Sequence, residues 1–152
     1  MANTQSMCTS FMGELLTGTH NFTPSTGDSF KAALYLASAT VNASTTAYSA
    51  TGEVSGTNYS PGGVSVTNAT APASTNTSST AGTAYWTPSA SITYTNVTLT
   101  TAFDAVLIYN SSKSDKAVSV HTFGSQTVTA GTFTLTMPSN TTSTALIRLA
   151  TT

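Results

Sequence analysis

Charged side chains are scarce in this sequence, with 4 lysines and arginines and 5 acidic residues among 152 positions. They make up 6% of the chain, whereas an average soluble domain carries about 25%. The net charge of −1 offers no electrostatic footprint for nucleic acid or an acidic membrane, so we expect neither as a direct partner. Serine and threonine fill more than a third of the chain. Such a hydroxyl-rich surface is typical of a subunit that packs against neighbours.

A single cysteine, Cys8, excludes an internal disulfide. No run of about 18 apolar residues occurs, so we expect no membrane span. The first ten residues contain neither a basic region nor an apolar stretch, and we therefore predict synthesis in the cytoplasm without a signal peptide. Eight Asn-x-Ser/Thr triplets would suit a glycosylated secreted protein. A chain this rich in hydroxyls produces such triplets by chance, and we favour that interpretation.

Motifs for catalysis and metal binding are missing as well. His20 and His121 belong to no H-x-x-x-H or H-E-x-x-H pattern, and no G-x-S-x-G occurs. We expect His121 at the surface or rim of a strand. Asp104 and Asp115 flank an apolar strand at its opposite ends, too far apart for a carboxylate pair. We therefore predict a protein that is not an enzyme, with no catalytic residue, no metal and no cofactor.

The N-terminal stretch 5–17, QSMCTSFMGELLT, has the apolar periodicity of a short helix that Gly18 can end. Its apolar residues form two rows with a spacing of four: Met7, Phe11 and Leu15, and Cys8, Met12 and Leu16. Two alternatives are open. The helix packs on the sheet of its own domain, or residues 1–22 form an arm that docks on a neighbouring subunit. For the second case we predict that the interface contains Met7, Phe11, Leu15 and Leu16.

After Gly27 the apolar period changes from helical to two, which is typical of β-strands. Strands are predicted around 30–36, 64–67, 92–99, 105–109, 118–121, 133–137 and 146–149. The phase slips between Tyr94 and Val97, and a bulge near Thr95-Asn96 would repair it. The pattern predicts an all-β sandwich or barrel of about eight short strands with one short N-terminal helix. Residues 23–152 form one β domain in this prediction, with a flexible loop near 70–83.

The stretch GEVSGTNYSPGG, residues 52–63, holds four of the ten glycines. It has neither the lysine of a phosphate-binding loop nor the G-x-G-x-x-G spacing of a dinucleotide-binding loop. Turn chemistry explains it better, with Pro61 fixing φ and Gly62 free to adopt a positive φ. We expect Glu53, the one charge in this loop, to be solvated. Glu53 and Tyr59 are candidate contacts for a partner.

Trp86 and Tyr85 form the one aromatic pair that suggests a ligand. Such a pair can stack on a sugar, but an aromatic pair with one ring in the core is the more common arrangement. A carbohydrate-binding module therefore remains an alternative function.

Several stretches together resemble small virion proteins encoded in the structural modules of tailed bacteriophages. These stretches cover most of the chain: MANTQSMCTSF, KAALYLASAT, STTAYSATGEVSGTNYSPGG, AVLIYNSSKSDKAVSVHTFGSQTVTAGTFTLT and ALIRLA. The resemblance implies a non-enzymatic virion component, most often a capsid decoration (cement) protein and otherwise a head–tail connector or tail-associated protein. It implies the major capsid protein, copies of the chain itself, or both as partners, and a homo-oligomer that assembles in the host cytoplasm and ends in the virion. The family has no catalytic motif, so the resemblance assigns no functional residue.

Overall fold

The computed structural model describes residues 2–75 and 82–151. One helix, α1, and eight strands, β1–β8, follow one another along the chain: β1 Ser6–Met7, α1 Thr9–Leu16, β2 Phe30–Leu36, β3 Val64–Val66, β4 Ala73–Ser74, β5 Thr83–Trp86, β6 Ile92–Asn110, β7 Lys116–Leu135 and β8 Ile147–Ala150. The prediction of an all-β fold with about eight strands and one short N-terminal helix is confirmed.

The strands form two antiparallel sheets. The larger has the order β1-β7-β6-β2-β3, and the smaller has the order β4-β5-β8. The apolar run Ala105–Tyr109 lies in β6 between β2 and β7 and is buried throughout, as expected for a central strand. Opposite it in β2, Leu34 pairs with Val106, and both are buried. The core therefore centres on this β2–β6–β7 region.

Strands β6 and β7 are each far longer than predicted and form one ribbon. The predicted strands at 92–99 and 105–109 are both parts of β6, and those near 118–121 and 133–137 belong mainly to β7. The ribbon changes register at several places between Tyr94 and Ala105. The hydroxyl of Tyr94, near the start of β6, donates to the carbonyl of Ala32 on β2 at 2.8 Å. The part of the ribbon that pairs residues 92–99 with 128–135 therefore lies over the part that pairs residues 103–110 with 116–126. These two parts form the layers of the sandwich.

The predicted bulge near Thr95-Asn96 is confirmed. Tyr94 pairs with Phe133 and Val97 pairs with Gly131, so β6 carries an extra residue between these two pairs. Asn96 has φ of +52°, a conformation that asparagine tolerates better than most residues. The bulge turns both Tyr94 and Val97 into the core, where each is 1% exposed.

The glycine-rich loop folds as a turn, as predicted. The amide of Gly63 donates to the carbonyl of Ser60 at 2.9 Å, and Gly62 has φ of +85°. With Pro61 at the second position, this is the pattern of a type II turn. A Cβ on Gly63 would lie 1.7 Å from the carbonyl oxygen of Ala32. Glycine is therefore required where the turn meets β2.

Glu53 is not the solvated side chain that we expected. One carboxylate oxygen accepts hydrogen bonds from the Tyr59 hydroxyl at 2.7 Å and the Gly62 amide at 2.8 Å. The other accepts from the Tyr48 hydroxyl at 2.5 Å. Tyr59 is only 8% exposed, and its hydroxyl also accepts from the Leu34 amide. These two residues hold the loop together, with Tyr59 buried and Glu53 half-buried.

The N-terminal segment belongs to the same core as the rest of the chain. Ser6 and Met7 pair with β7, and both Cys8 and Phe11 are fully buried. Helix α1 therefore begins at Thr9, later than predicted, because the residues before it are extended along β7. Gly18 follows the helix with φ of +67° and ends it as predicted. Of the two alternatives, the structure has the helix packed on its own sheet.

The region near 70–83 was predicted to be a flexible loop. Ala73–Ser74 and Thr83–Trp86 instead pair with each other as β4 and β5. Residues 76–81 of the predicted loop lie outside the described residues. The smaller sheet is therefore built in part from a segment with almost no large apolar side chains, which is why its strands were not predicted.

Candidate functional site: an apolar groove beside the N-terminal helix

An apolar groove of about 110 Å³ lies between α1 and the smaller sheet. It is lined by Phe11 and Leu15 of α1, Phe22 and Pro72 of the connecting segments, and Ala84, Tyr85, Trp86, Ile147 and Leu149 of β5 and β8. These residues lie far apart in sequence and meet because β8 pairs with β5 at the edge of the smaller sheet. The groove is the place where two of the predicted interface residues come together.

Helix α1 presents its apolar residues on more than one side. Phe11 is 1% exposed and forms part of the core below the groove, whereas Leu15 is half-buried at the groove itself. Met12 is 44% exposed and Leu16 is 90% exposed. Leu149, which also lines the groove, is 41% exposed. Exposed large apolar side chains therefore accompany the groove on the helix and on β8.

Met7 and Phe11 both contact the protein's own core, Met7 with part of its side chain and Phe11 with all of it. Met7 lies on β1, opposite Ser119 of β7, and is half-buried against the core. Phe11 packs within the domain, with its ring centroid 5.0 Å from that of His20 and 6.0 Å from that of Phe22. Of the predicted set, Leu16 is exposed, Met7 and Leu15 are half-buried, and Phe11 is buried. Helical periodicity alone did not separate the residues that face the core from those that face solvent.

A polar network that the sequence did not predict fixes α1 in place. Nε2 of His20 lies 2.7 Å from Oε2 of Glu14, and Nδ1 lies 2.9 Å from the amide nitrogen of Asn110. That amide nitrogen also donates to the Asp28 carboxylate at 2.8 Å, which sets the orientation of the Asn110 amide. Nδ1 of His20 therefore accepts, and Nε2 donates to Glu14. The arrangement describes a neutral imidazole between the helix and the end of β6.

Lysines complete the network at both ends. Nζ of Lys116 donates to Oε1 of Glu14 at 2.5 Å, and Nζ of Lys113 lies 3.6 Å from Asp28. Burial raises the pKa of the Glu14 carboxyl, but hydrogen bonds from Lys116 and His20 outweigh it and bring the pKa below its usual value. For Asp28, burial likewise raises the pKa, and the bonds from Asn21 and Asn110 together with Lys113 more than reverse that effect. The network is built to keep both carboxylates charged.

The network resembles an acid–base cluster, but its contacts are structural. His20 is 8% exposed, and both ring nitrogens are occupied by Glu14 and Asn110. Across residues 2–75 and 82–151, no three His, Cys, Asp or Glu side chains come close enough to hold a metal ion. The groove can therefore bind an apolar surface, and the polar network holds α1 in place beside it.

Trp86 does not offer a platform for a sugar. The ring is 3% exposed, and its N–H lies 3.1 Å from both Oδ1 of Asn68 and the carbonyl of Thr70. Its centroid lies 4.7 Å from that of Phe22, within the aromatic cluster below the groove. Trp86 is therefore the ring of the aromatic pair that lies in the core. Its neighbour Tyr85 lines the groove and is half-buried.

His121 is half-buried, as a residue at the rim of a strand would be. It lines a second apolar cavity, of about 140 Å³, between residues of β6 and β7 and the segment that follows β7. Nε2 lies 2.9 Å from the Ser119 hydroxyl, and burial lowers the pKa of the imidazole to about 4. The ring is therefore neutral at ordinary pH, in agreement with its apolar surroundings.

No family model, curated protein or solved structure matches this chain. None of the helices in the described part of the chain has the length and apolar character needed to cross a membrane. The geometry of the groove, the charge distribution and the sequence resemblance are therefore what bear on function.

Proposed function

We propose that this protein is a non-enzymatic structural component of a bacteriophage virion, and that it decorates the outside of the head. The family resemblance described above supports this role. The observation that carries the proposal is the apolar groove, which Leu149 lines while 41% exposed, together with Leu16, which is 90% exposed and follows the groove residue Leu15 on α1. We assign this surface to the contact with the major capsid protein.

The energetics of the groove suit a decoration protein. Fully burying an exposed leucine side chain contributes about 1.5–3 kcal/mol. Leu16 is 90% and Leu149 is 41% exposed, so covering both would give a modest contact. A modest contact is sufficient on a shell with many equivalent sites, particularly where neighbouring subunits also touch one another.

The distribution of charge supports the same kind of contact. Glu14, Asp28, Lys113 and Lys116 are paired with one another inside the network, and Glu53 is held by the tyrosines of its loop. Few charges are therefore left to steer a partner over long range. The affinity of binding that buries apolar side chains should vary little with salt concentration, unlike that of binding through charged surfaces.

The direct test is co-sedimentation of the purified chain with undecorated heads of the phage that encodes it. We expect the wild-type protein to bind, and Leu16→Glu and Leu149→Glu each to weaken binding by about tenfold or more. Thr93→Glu is the matched control, because Thr93 is equally a surface position but lies on β6 away from the groove. Absence of wild-type binding would overturn the proposal, and equal loss in all three variants would overturn the assignment of the groove.

Copy number separates head decoration from the alternative position at the neck or tail. A decoration protein is present on the order of hundreds of copies per particle, whereas a connector ring holds roughly six or twelve. Quantitative mass spectrometry of purified virions, scaled to the major capsid protein, measures this ratio. A ratio near that of a single ring would replace the decoration role with the connector role.

A further inference from the structure

The outer edge of β7 is free over most of its length. On that outer side, β1, Cys8 and residues 46–47 contact only residues 116–120, and β6 occupies the other side of β7. Within the described ranges, no backbone hydrogen bond reaches the outer side of residues 132–136. An open edge of this kind presents unpaired N–H and C=O groups to another strand.

The free edge lacks charge, one of the usual protections against pairing. No charged residue occurs between Lys116 and Arg148. A proline follows only at position 138, beyond the end of β7. A bulge is present at Ala130, with φ of +46°, but the register beyond it is regular, as Thr93 pairs with Thr134 and Ile92 with Leu135. Residues 133–135 therefore pair regularly with β6, and the edge from 132 to 136 carries no charge.

The sequence of this edge is self-complementary. Residues 132–136 are TFTLT, in which the threonines are exposed and Phe133 and Leu135 are half-buried. When such a segment pairs antiparallel with itself about its centre, Thr132 lies opposite Thr136, Thr134 lies opposite its own copy, and Phe133 lies opposite Leu135. Every threonine then meets a threonine and every apolar residue meets an apolar residue. Cross-strand pairs of both kinds stabilise antiparallel sheets.

We propose that two copies of this protein pair antiparallel through residues 132–136, the end of β7 and the residue that follows it, about a two-fold axis at Thr134. The contact joins the two larger sheets into one continuous sheet across the dimer. It is isologous, so the same residues serve on both sides and the assembly closes. A neutral edge suits this occupant, because a second copy brings no like charge against it.

The apolar cavity beside β7 supports the same contact. Phe123, Leu135, Met137 and Leu146 line it together with His121, and it lies on the side of the sheet to which Leu135 turns. A second copy at the edge would place its own Phe133 next to Leu135. The apolar contact between the two copies would then extend toward this cavity. The pairing does not depend on a virion role, and it uses a surface other than the groove beside α1.

Charge at the two-fold axis tests the proposal. We expect sedimentation equilibrium to show a wild-type dimer, and Thr134→Lys and Thr134→Glu each to raise the dimer dissociation constant by about tenfold or more through like-charge contact. An equimolar mixture of the two variants should recover the dimer as a heterodimer. Thr93→Lys is the control, since Thr93 is exposed directly beside Thr134 but lies one strand inside the edge. A monomeric wild type, or a dimer that both Thr134 variants leave unchanged, would overturn the proposal.

Cross-linking tests the register independently of affinity. Opposed residues at the centre of an antiparallel pair have Cβ atoms about 4.5–5.5 Å apart, so Thr134→Cys should form a disulfide-linked dimer under mild oxidation. The native thiol of Cys8 is fully buried and should not interfere. Thr93→Cys should stay largely unlinked under the same conditions. Equal cross-linking of the two variants, or none in Thr134→Cys although the wild type is dimeric, would show that the copies meet elsewhere.

Discussion

The rings of Phe123 and Phe133 lie 5.3 Å apart, centroid to centroid, although both residues belong to strand β7. In an extended strand, ten residues would separate them by about 33 Å. The β6–β7 ribbon therefore bends back on itself. The register shifts between Leu99 and Ala105 mark the bend, opposite the exposed residues 124–127. Phe103 lies at the turn of the ribbon, 6.0 Å from Phe123 and 5.0 Å from Phe133.

This bend explains how a chain of this composition makes a sandwich. One ribbon supplies strands to both layers, so the apolar residues of its two halves face each other across the core. It also leaves the last residues of β7 as a free edge, because β1 reaches only the first half of that strand. The proposed dimer contact is thus a consequence of the same bend that closes the core.

The N-terminal helix should be essential for folding rather than a detachable arm. Phe11 is 1% exposed and packs on His20 and Phe22, so we expect Phe11→Ala to lower the free energy of unfolding by about 3–5 kcal/mol. Met12→Ala, on the same helix but 44% exposed, should cost less than about 1 kcal/mol. Urea unfolding followed by circular dichroism measures both. Similar, small effects for the two variants would show that the helix is an independent arm after all.

Two glycines should respond in opposite directions to alanine substitution. At Gly63 a Cβ would lie 1.7 Å from the Ala32 carbonyl oxygen, and φ is +72°, so Gly63→Ala should cost about 2 kcal/mol or more. At Gly13, within α1, a Cβ meets nothing within 4 Å. Gly13→Ala should therefore stabilise the protein by about 0.5–1 kcal/mol through helix propensity. Thermal melts of both variants check the signs, and a neutral Gly63→Ala would contradict the close approach of the turn to β2.

The parts of the fold that depend on neighbouring residues were predictable from the sequence. The alternation in 30–36, the apolar run AVLIY, the turn at Pro61-Gly62 and the phase slip at Thr95-Asn96 all indicated their structures correctly. These features are local, because the spacing of side chains within a strand or turn sets them.

The parts that depend on distant contacts were not predictable. Residues 5–7 have helical spacing, yet Ser6 and Met7 are extended because they pair with β7, more than 100 positions away. The groove joins α1 to Ile147 and Leu149 near the other end of the chain. Nothing in the sequence indicates that Lys116 pairs with Glu14 of α1, which lies 102 positions earlier. Packing between segments that are far apart in the sequence brings these groups together.

Stability should fall in acid because of the network at α1. The pKa values of Glu14 and Asp28 are lower in the folded protein than their usual values, so their stabilising contribution is complete above the ordinary carboxyl range, about pH 4–4.5, and is lost as pH falls through the lower folded values. Glu14→Gln should flatten part of this dependence, whereas Asp115→Asn, the same carboxyl-to-amide change at an exposed position outside the network, should not. Melting temperatures measured from neutral pH to about pH 2 report the effect. An identical acid slope in wild type and Glu14→Gln would show that the network contributes nothing.

Glu53 should be the most sensitive residue of the glycine-rich loop. Glu53→Ala leaves the Tyr59 hydroxyl and the Gly62 amide without their acceptor, and we expect it to cost about 2–4 kcal/mol. Glu53→Gln should cost less, because its amide oxygen can still accept from both groups while its NH₂ donates to the Tyr48 hydroxyl in place of accepting from it. Ser55→Ala, at an exposed position of the same loop, is the control and should be nearly neutral. Chemical unfolding of the three variants orders them, and a Glu53→Ala protein as stable as Ser55→Ala would mean that the carboxylate is solvated, as its sequence context first suggested.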